Sequence, residues 1–228
     1  LQSKVLVCGD FHVPYHDPAA VSALLKFARA FKPSHLVVHG DLLDFEALSR
    51  FLKDPRKVAD PQEEIDSGRD ILAQLRDAVG AKCKLIFGIG NHEFRLTSLL
   101  MKQAPALLPL KSLDLHELLK LDGWRVVPHE QYVQVVPGLI VLHGISYGPT
   151  TNAKNIARFG GFNVAQGHSH RLSQRFVRSL HGIHSAVEAG CLCDLSPHYC
   201  QQPDWQQGFA TYTNEQLRLH LIEKGKVQ

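Results

Sequence analysis

The sequence has no apolar run long enough to cross a bilayer: its longest, residues 138–143 and 84–89, fall far short of the roughly 20 residues that a spanning helix needs. It also lacks the charged-then-apolar opening of a secretory leader, so a soluble, cytoplasmic chain with no membrane partner is expected. Because the sequence starts at Leu1 rather than Met, a removed leader stays compatible with it. Cysteine is sparse, with five residues at irregular spacing (Cys8, Cys83, Cys191, Cys193 and Cys200), which argues against a disulfide framework and fits a reducing compartment. Cys191 and Cys193 stand closer than the usual zinc-site spacing, and Cys8 and Cys83 lie in apolar runs where Cys acts as a small hydrophobe, so these are read as structural thiols. A strong charge of either sign is missing too: the net charge of +3 neither demands nor forbids a polyanionic partner. Without linkers, repeats, low-complexity stretches or long heptads, residues 1–228 are expected to form one domain and no coiled coil, with the oligomeric state left open.

What is present is an ordinary globular composition, 44% apolar and 21% charged, enough to build a substantial core. The first third alternates strand and helix. Residues 4–8, 36–39 and 84–88 read as short apolar strands, and Asp17-Pro18 and Asp60-Pro61 each pair an N-cap with a first-turn proline. These start helices that run to about Phe31 and Val79. A helical region is expected over 93–120. Thereafter residues 125–127, 132–136, 139–142, 163–165, 183–187, 209–213 and 217–222 are strand-like, separated by Gly, Pro or Asn turns. The expected fold is α/β: two mixed sheets packed face to face with helices outside, a four-layer sandwich.

The chemistry-bearing residues sit where the apolar runs stop. Residues 5–8 end in Gly9-Asp10-Phe11-His12, and residues 36–39 in Gly40-Asp41-Leu42-Leu43-Asp44. Residues 85–89 end in Gly90-Asn91-His92-Glu93, 139–142 in His143-Gly144, and 164–166 in Gly167-His168-Ser169-His170. Any one of these is an ordinary turn. All of them in succession, at the strand ends where α/β active sites gather, point to a shared site. Carboxylate, imidazole and amide ligands suit borderline divalent cations, and an Asp between two cations can bridge them. Two cations about 3.5–4 Å apart clamp a phosphoryl group and acidify a bridging water, yielding hydroxide near neutral pH.

In motif order, D-x-H, G-D-x-x-D, G-N-H-[DE], a single His, then G-H-x-H, positions 10–170 resemble the calcineurin-like metallophosphoesterase superfamily, in particular its small phage and bacterial members. That resemblance implies that Asp10, His12 and His170 hold one metal, that Asp41 bridges, and that Asn91, His143 and His168 complete the second site. It implies no metal for His92, whose role would be to protonate the leaving oxygen with Asp44 as its carboxylate partner. Asp44 could equally be a helix N-cap. The cofactors implied are two divalent ions, manganese first, with iron, zinc, cobalt or nickel as alternatives.

Protein phosphatases of the superfamily carry Arg-Gly directly after the last Asp of the second motif; here Phe45-Glu46 stands there, which weakens a protein-phosphatase reading. Arg95 and Arg50 are close enough in sequence to substitute. Basic residues over 50–57, with Arg171, Arg175 and Arg178, suit a nucleic-acid backbone, although a solvated face explains them as well. Trp205 and Phe209 suit either base stacking or core packing. His39 is read either as a support for Asp41 or as a packed core residue. The function expected is hydrolysis of phosphodiesters, with nucleic acid as a candidate substrate, through a metal-bridging hydroxide and His92; phosphomonoester hydrolysis is the alternative.

Overall fold

The structure, a computed structural model, describes residues 3–52, 56, 58–144, 148–197 and 203–228. Cys200 and His198, and Lys53 and Lys57 of the basic stretch, lie outside them. Strands β1 (Val5–Cys8), β2 (His35–Val38) and β3 (Lys84–Gly88) are parallel neighbours, and β4 (Trp124–Val127) follows β3 in the same sense. Between them run α1 (Pro18–Phe31) and α2 (Pro61–Val79). Both helices start as their sequence predicts: the Asp17 carboxylate accepts from the N–H groups of Ala19 and Ala20, and Asp60 from those of Gln62 and Glu63. A second sheet is built on β5 (Tyr132–Val136), β6 (Leu139–Leu142), β7 (Asn163–Gln166), β8 (Leu172–Ser179) and β9 (Gly182–Ala189), in the order β5-β6-β7-β9-β8. Strands β10 (Gly208–Thr213), β11 (Gln216–Glu223) and β12 (Lys226–Val227) return to the first sheet, whose order is β12-β11-β10-β1-β2-β3-β4.

Strand periodicity assigns the layers. Leu6, Cys8, Leu36, Val38, Leu85 and Phe87 face α1 and α2, whereas the alternating Val5, Val7, Val37 and Ile86 face the second sheet, meeting Leu139, Val141, Ala165 and Val187. On the far side of that sheet Ile140, Val164 and Ala186 pack with Phe159, which caps helix α5 (Thr151–Arg158). The expected four layers are therefore present.

The expected helix over 93–120 is interrupted. It is α3 (Phe94–Gln103), two single 3₁₀ turns at Pro105–Leu107 and Lys111–Leu113, then α4 (Leu115–Leu118). Pro105 lacks the N–H that a helix interior requires and drives Ala104 out of the helical region, to φ −148°. Because β1, β2 and β3 are parallel, as are β6 and β7, their C-terminal ends and the loops that follow gather at one edge of the sandwich.

Candidate metal centre

The loops after these strands take conformations that side chains rarely adopt. Asp10, His12, Asp41, His168 and His170 all have positive φ, from 49° to 69°. A non-glycine residue there costs on the order of 1–3 kcal/mol, so the surroundings must impose it. They do so through hydrogen bonds between loops: Asp10 N–H donates to Gly40 O (3.0 Å), His12 N–H to Asp41 O (3.0 Å) and His168 N–H to Asp10 Oδ2 (2.8 Å). Glu93, fully buried, accepts from the N–H groups of Asp41 (3.0 Å), Gly90 (2.8 Å) and Leu43 (2.9 Å). One carboxylate thus binds the Asp41 loop to the Asn91 loop. His39 lies beneath, between Gly9 and Gly167, where a Cβ on either glycine would overlap its ring. It is buried, 3.9 Å from Asp10 Oδ2, and burial lowers its pKa to about 3. It therefore serves as a neutral floor under Asp10.

The scaffold presents two adjoining clusters. In one, His12 Nε2 and His170 Nε2 are 3.0 Å apart and Asp10 Oδ1 lies 3.7 Å from the latter. In the other, His143 Nε2 lies 2.9 Å from Asn91 Oδ1 and 3.2 Å from Asp41 Oδ2, with His168 in the same group. Asp41 stands between them, its Oδ2 also 3.8 Å from His12 Nε2. Each cluster converges imidazole nitrogens with carboxylate or amide oxygens, and Asp10 Oδ1 has no hydrogen-bond partner although it is buried. Divalent cations fit such donor sets.

Electrostatics agree that positive charge is wanted here. Burial opposes protonation of His12, but the Asp44 hydrogen bond and the charges of Asp44 and Asp41 outweigh it and push the imidazole up to about 10. Burial likewise opposes protonation of His143, yet the charge and hydrogen bond of Asp41 raise it to about 9. Burial raises Asp10 to about 7 against the pull of His143 and lowers His168 to about 4.

Outside the clusters, the Asp44 carboxylate accepts from His12 Nδ1 (2.9 Å), and its own carbonyl accepts from His92 Nδ1 (2.8 Å), with the carboxylate 3.6 Å from that nitrogen. The N-cap of the short helical turn that follows, Glu46–Leu48, is Phe45 rather than Asp44, so the capping alternative drops out. Arg95 reaches inward: its Nη1 donates to Asp44 O (2.8 Å) and its Nη2 to His92 Nε2 (3.0 Å). Burial holds His92 down to about 4, so in the free protein its proton sits on Nδ1 and Nε2 offers a lone pair.

A calcineurin-like phosphoesterase family model matches residues 3–172. The chain belongs to the calcineurin-like phosphoesterase family. As a member of this metal-dependent family it is a phosphoester hydrolase, and its His and Asp clusters lie within the matched span. The gene 54 protein of Mycobacterium phage L5 is 27% identical over 93% of this chain and 89% of its own length. Vacuolar protein sorting 29 from Cryptosporidium parvum (TM-score 0.53, 16% identity) covers all of this chain and 95% of that one. Its Chaetomium thermophilum counterpart (TM-score 0.54, 14% identity) covers 99% and 95%. These two likenesses establish the shared fold.

The structure brings together all nine residues singled out from the sequence: Asp10, His12, Asp41, Asp44, Asn91, His92, His143, His168 and His170. Three contributions escaped sequence reasoning. Glu93 fills the last place of its motif but was given no role, the inward aim of Arg95 depends on where α3 sits, and Cys191 and Cys193 lie beside His170. Trp205 packs edge-on against His170, ring centroids 4.2 Å apart, and Phe209 is buried in the core against Phe27 and His220.

Proposed function

We propose that this calcineurin-like phosphoesterase hydrolyses phosphodiesters, nucleic-acid strands being the candidate substrate, with Asp10, His12 and His170 holding one divalent ion, Asn91, His143 and His168 a second, and Asp41 shared. The observation that carries the reading is open space at Arg95, in two clefts that share it. One cleft of about 460 Å³ is lined by Asp44, Ser49, Phe51, Leu52 and His92, and another of about 450 Å³ by Arg50, Asn91, Ser98 and Lys102. Both include Arg95 and Phe51. A diester needs room for a substituent on each side of phosphorus, and here the room carries basic and apolar groups that suit a nucleotide backbone and its bases.

Bound divalent ions would supply Lewis-acid polarisation of the phosphoryl oxygens and an acidified water at neutral pH, with manganese suiting the oxygen and imidazole donors. The chain's own residues supply the rest. Arg95 grips a phosphate oxygen and in doing so releases His92 Nε2. The Asp44 carbonyl keeps hold of Nδ1–H, so Nε2 stays aimed at the clusters. The incoming anionic phosphate favours uptake of a proton from bulk water on Nε2, and that proton passes to the leaving oxygen as the oxygen of a water adds to phosphorus and the P–O bond breaks.

The test is hydrolysis by metal-stripped protein resupplied with manganese or other divalent ions, using bis-(p-nitrophenyl) phosphate, p-nitrophenyl phosphate and single-stranded DNA in parallel. Cleavage of the diester or DNA by wild type, reduced in His92→Ala, is expected. Turnover of the monoester alone would replace this reading with the phosphomonoesterase alternative.

A further inference from the structure

The segment after β9, Gly190-Cys191-Leu192-Cys193-Asp194, reads in sequence as structural. In the fold it is fastened onto the metal centre from two sides. Leu192 N–H donates to the carbonyl of Asp10 (3.0 Å), Asp17 N–H to that of Leu192 (2.9 Å), and Asp194 N–H to that of Tyr15 (2.8 Å). On its other side Cys191 N–H donates to Gln206 O (3.0 Å), and Gln206 N–H to His170 O (2.9 Å). The consequence is a group of three ligand atoms within 4.8 Å of one another: a ring nitrogen of His170 and the sulfurs of Cys191 and Cys193. All three residues are buried. The thiols share His170 with the cluster in which His12 Nε2 and His170 Nε2 approach to 3.0 Å, and the charges of His12 and Asp10 act on Cys193. Buried beside them and without a hydrogen-bond partner are Asp10 Oδ1 and His170 Nδ1. Trp205 packs edge-on against His170.

We propose that Cys191 and Cys193 give the Asp10–His12–His170 position a thiolate face, so that this position takes a thiophilic divalent cation, zinc first, while the Asp41–Asn91–His143–His168 position keeps an oxygen and imidazole donor set suited to manganese. Thiolate selects zinc, iron(II) or cobalt(II) over manganese because it is the softer donor. As the sulfur–cation bond forms, the thiol proton leaves to bulk water. The inference rests on the metal-centre reading of the site, but it does not depend on which phosphoester is cleaved.

The experiment loads metal-stripped wild-type protein with two equivalents of Co²⁺ and records its absorption. Visible ligand-field bands report bound cobalt, and a near-ultraviolet thiolate-to-cobalt charge-transfer band reports sulfur ligation. Wild type is expected to show both. The Cys191→Ser/Cys193→Ser double variant should keep the visible bands and lose the charge-transfer band. In competition against a chelating dye, its preference for zinc over manganese should fall by about tenfold or more, the scale on which neighbouring groups tune a metal site. Visible bands without charge transfer in wild type would overturn the proposal, and that result needs no variant to fold. So would a double variant whose charge-transfer band and zinc preference match wild type. Hydrolysis of bis-(p-nitrophenyl) phosphate is a separate readout: charge transfer without turnover would refute the diesterase reading and leave the thiolate face standing.

Discussion

At Asp44 the carboxylate and the carbonyl oxygen serve different histidines, Oδ2 accepting from His12 Nδ1 and the carbonyl from His92 Nδ1. The first bond fixes which nitrogen of His12 faces the clusters and strengthens it as a ligand. Asp44→Asn is therefore expected to weaken cation binding by about 10–100-fold, the range for loss of a group that orients a metal-binding histidine. Calorimetric titration with zinc or manganese measures this, and unaltered affinity would sink the orienting role. His92 keeps its backbone partner in that variant, so His92→Ala should instead lower kcat and leave cation affinity intact. Arg95 acts on the substrate itself. Losing its charged hydrogen bonds to phosphate, each worth about 1.5–3 kcal/mol, should cost Arg95→Ala roughly 10–100-fold in kcat/KM. Lysine should rescue it only in part, because it lacks the planar fork. Equal kinetics for the alanine and wild-type proteins would show that the guanidinium does not touch substrate. The sequence placed Asp44, His92 and Arg95 near one another but could not say which atom meets which, since that depends on how the loop after β2 docks on α3.

Among the elements, α2 reaches the site through Glu64, a buried residue whose carboxylate accepts from Phe45 N–H and so holds the turn beside Asp44. Burial raises this carboxyl from 4.5 to about 8, with the charge of Asp44 adding to the rise. A carboxyl raised in this way gives stability that is complete below about 4.5 and is lost as pH climbs to about 8, because over that range the unfolded chain ionises while the folded state keeps its proton. Glu64→Gln keeps an oxygen acceptor for Phe45 and has nothing to titrate. Its melting temperature relative to wild type should therefore rise between pH 5 and pH 8, by about 2–4 °C for each kcal/mol relieved in a chain of this size. Parallel melting curves across that range would rule the titration out. Helix α2 itself was legible from its Asp-Pro start and amphipathic pattern, whereas α5 and β8 were not. The buried face of α5 is polar: Asn152 donates to Ser173 Oγ (2.7 Å) and Asn155 to Gln166 Oε1 (2.6 Å), so no apolar stripe marks it. Strand β8 is a sheet edge without clean alternation, carrying Ser173, Gln174 and Arg175 in succession and Phe176 exposed to solvent.

For the molecule as a whole, most strands of the two sheets were readable because they are short apolar runs that stop at turn residues, and the site was readable because it occupies those stops. Hidden from sequence was the cost of assembling it: three buried carboxylates, those of Asp10, Asp41 and Asp44, beside several buried imidazoles. Without cations, protons on His12 and His143 supply the positive charge. Both pKa values lie above the unfolded histidine value of 6.5, so their contribution to stability is fully present below about 6.5 and is lost as pH rises toward 9–10. Asp10, raised to about 7, acts in the same direction between its unfolded value and that pH. Cations compete with these protons and bind more tightly as pH increases. Stabilisation by saturating metal should therefore be larger at pH 8 than at pH 6. At a hundredfold excess over the dissociation constant one site contributes about 2.7 kcal/mol, roughly 5–11 °C in melting temperature for a chain of this length. Scanning calorimetry of chelator-treated and zinc- or manganese-loaded protein at the two pH values decides the matter. An increment that is absent, or that shrinks from pH 6 to pH 8, would mean that the histidines at the strand ends hold their charge for some purpose other than receiving a metal.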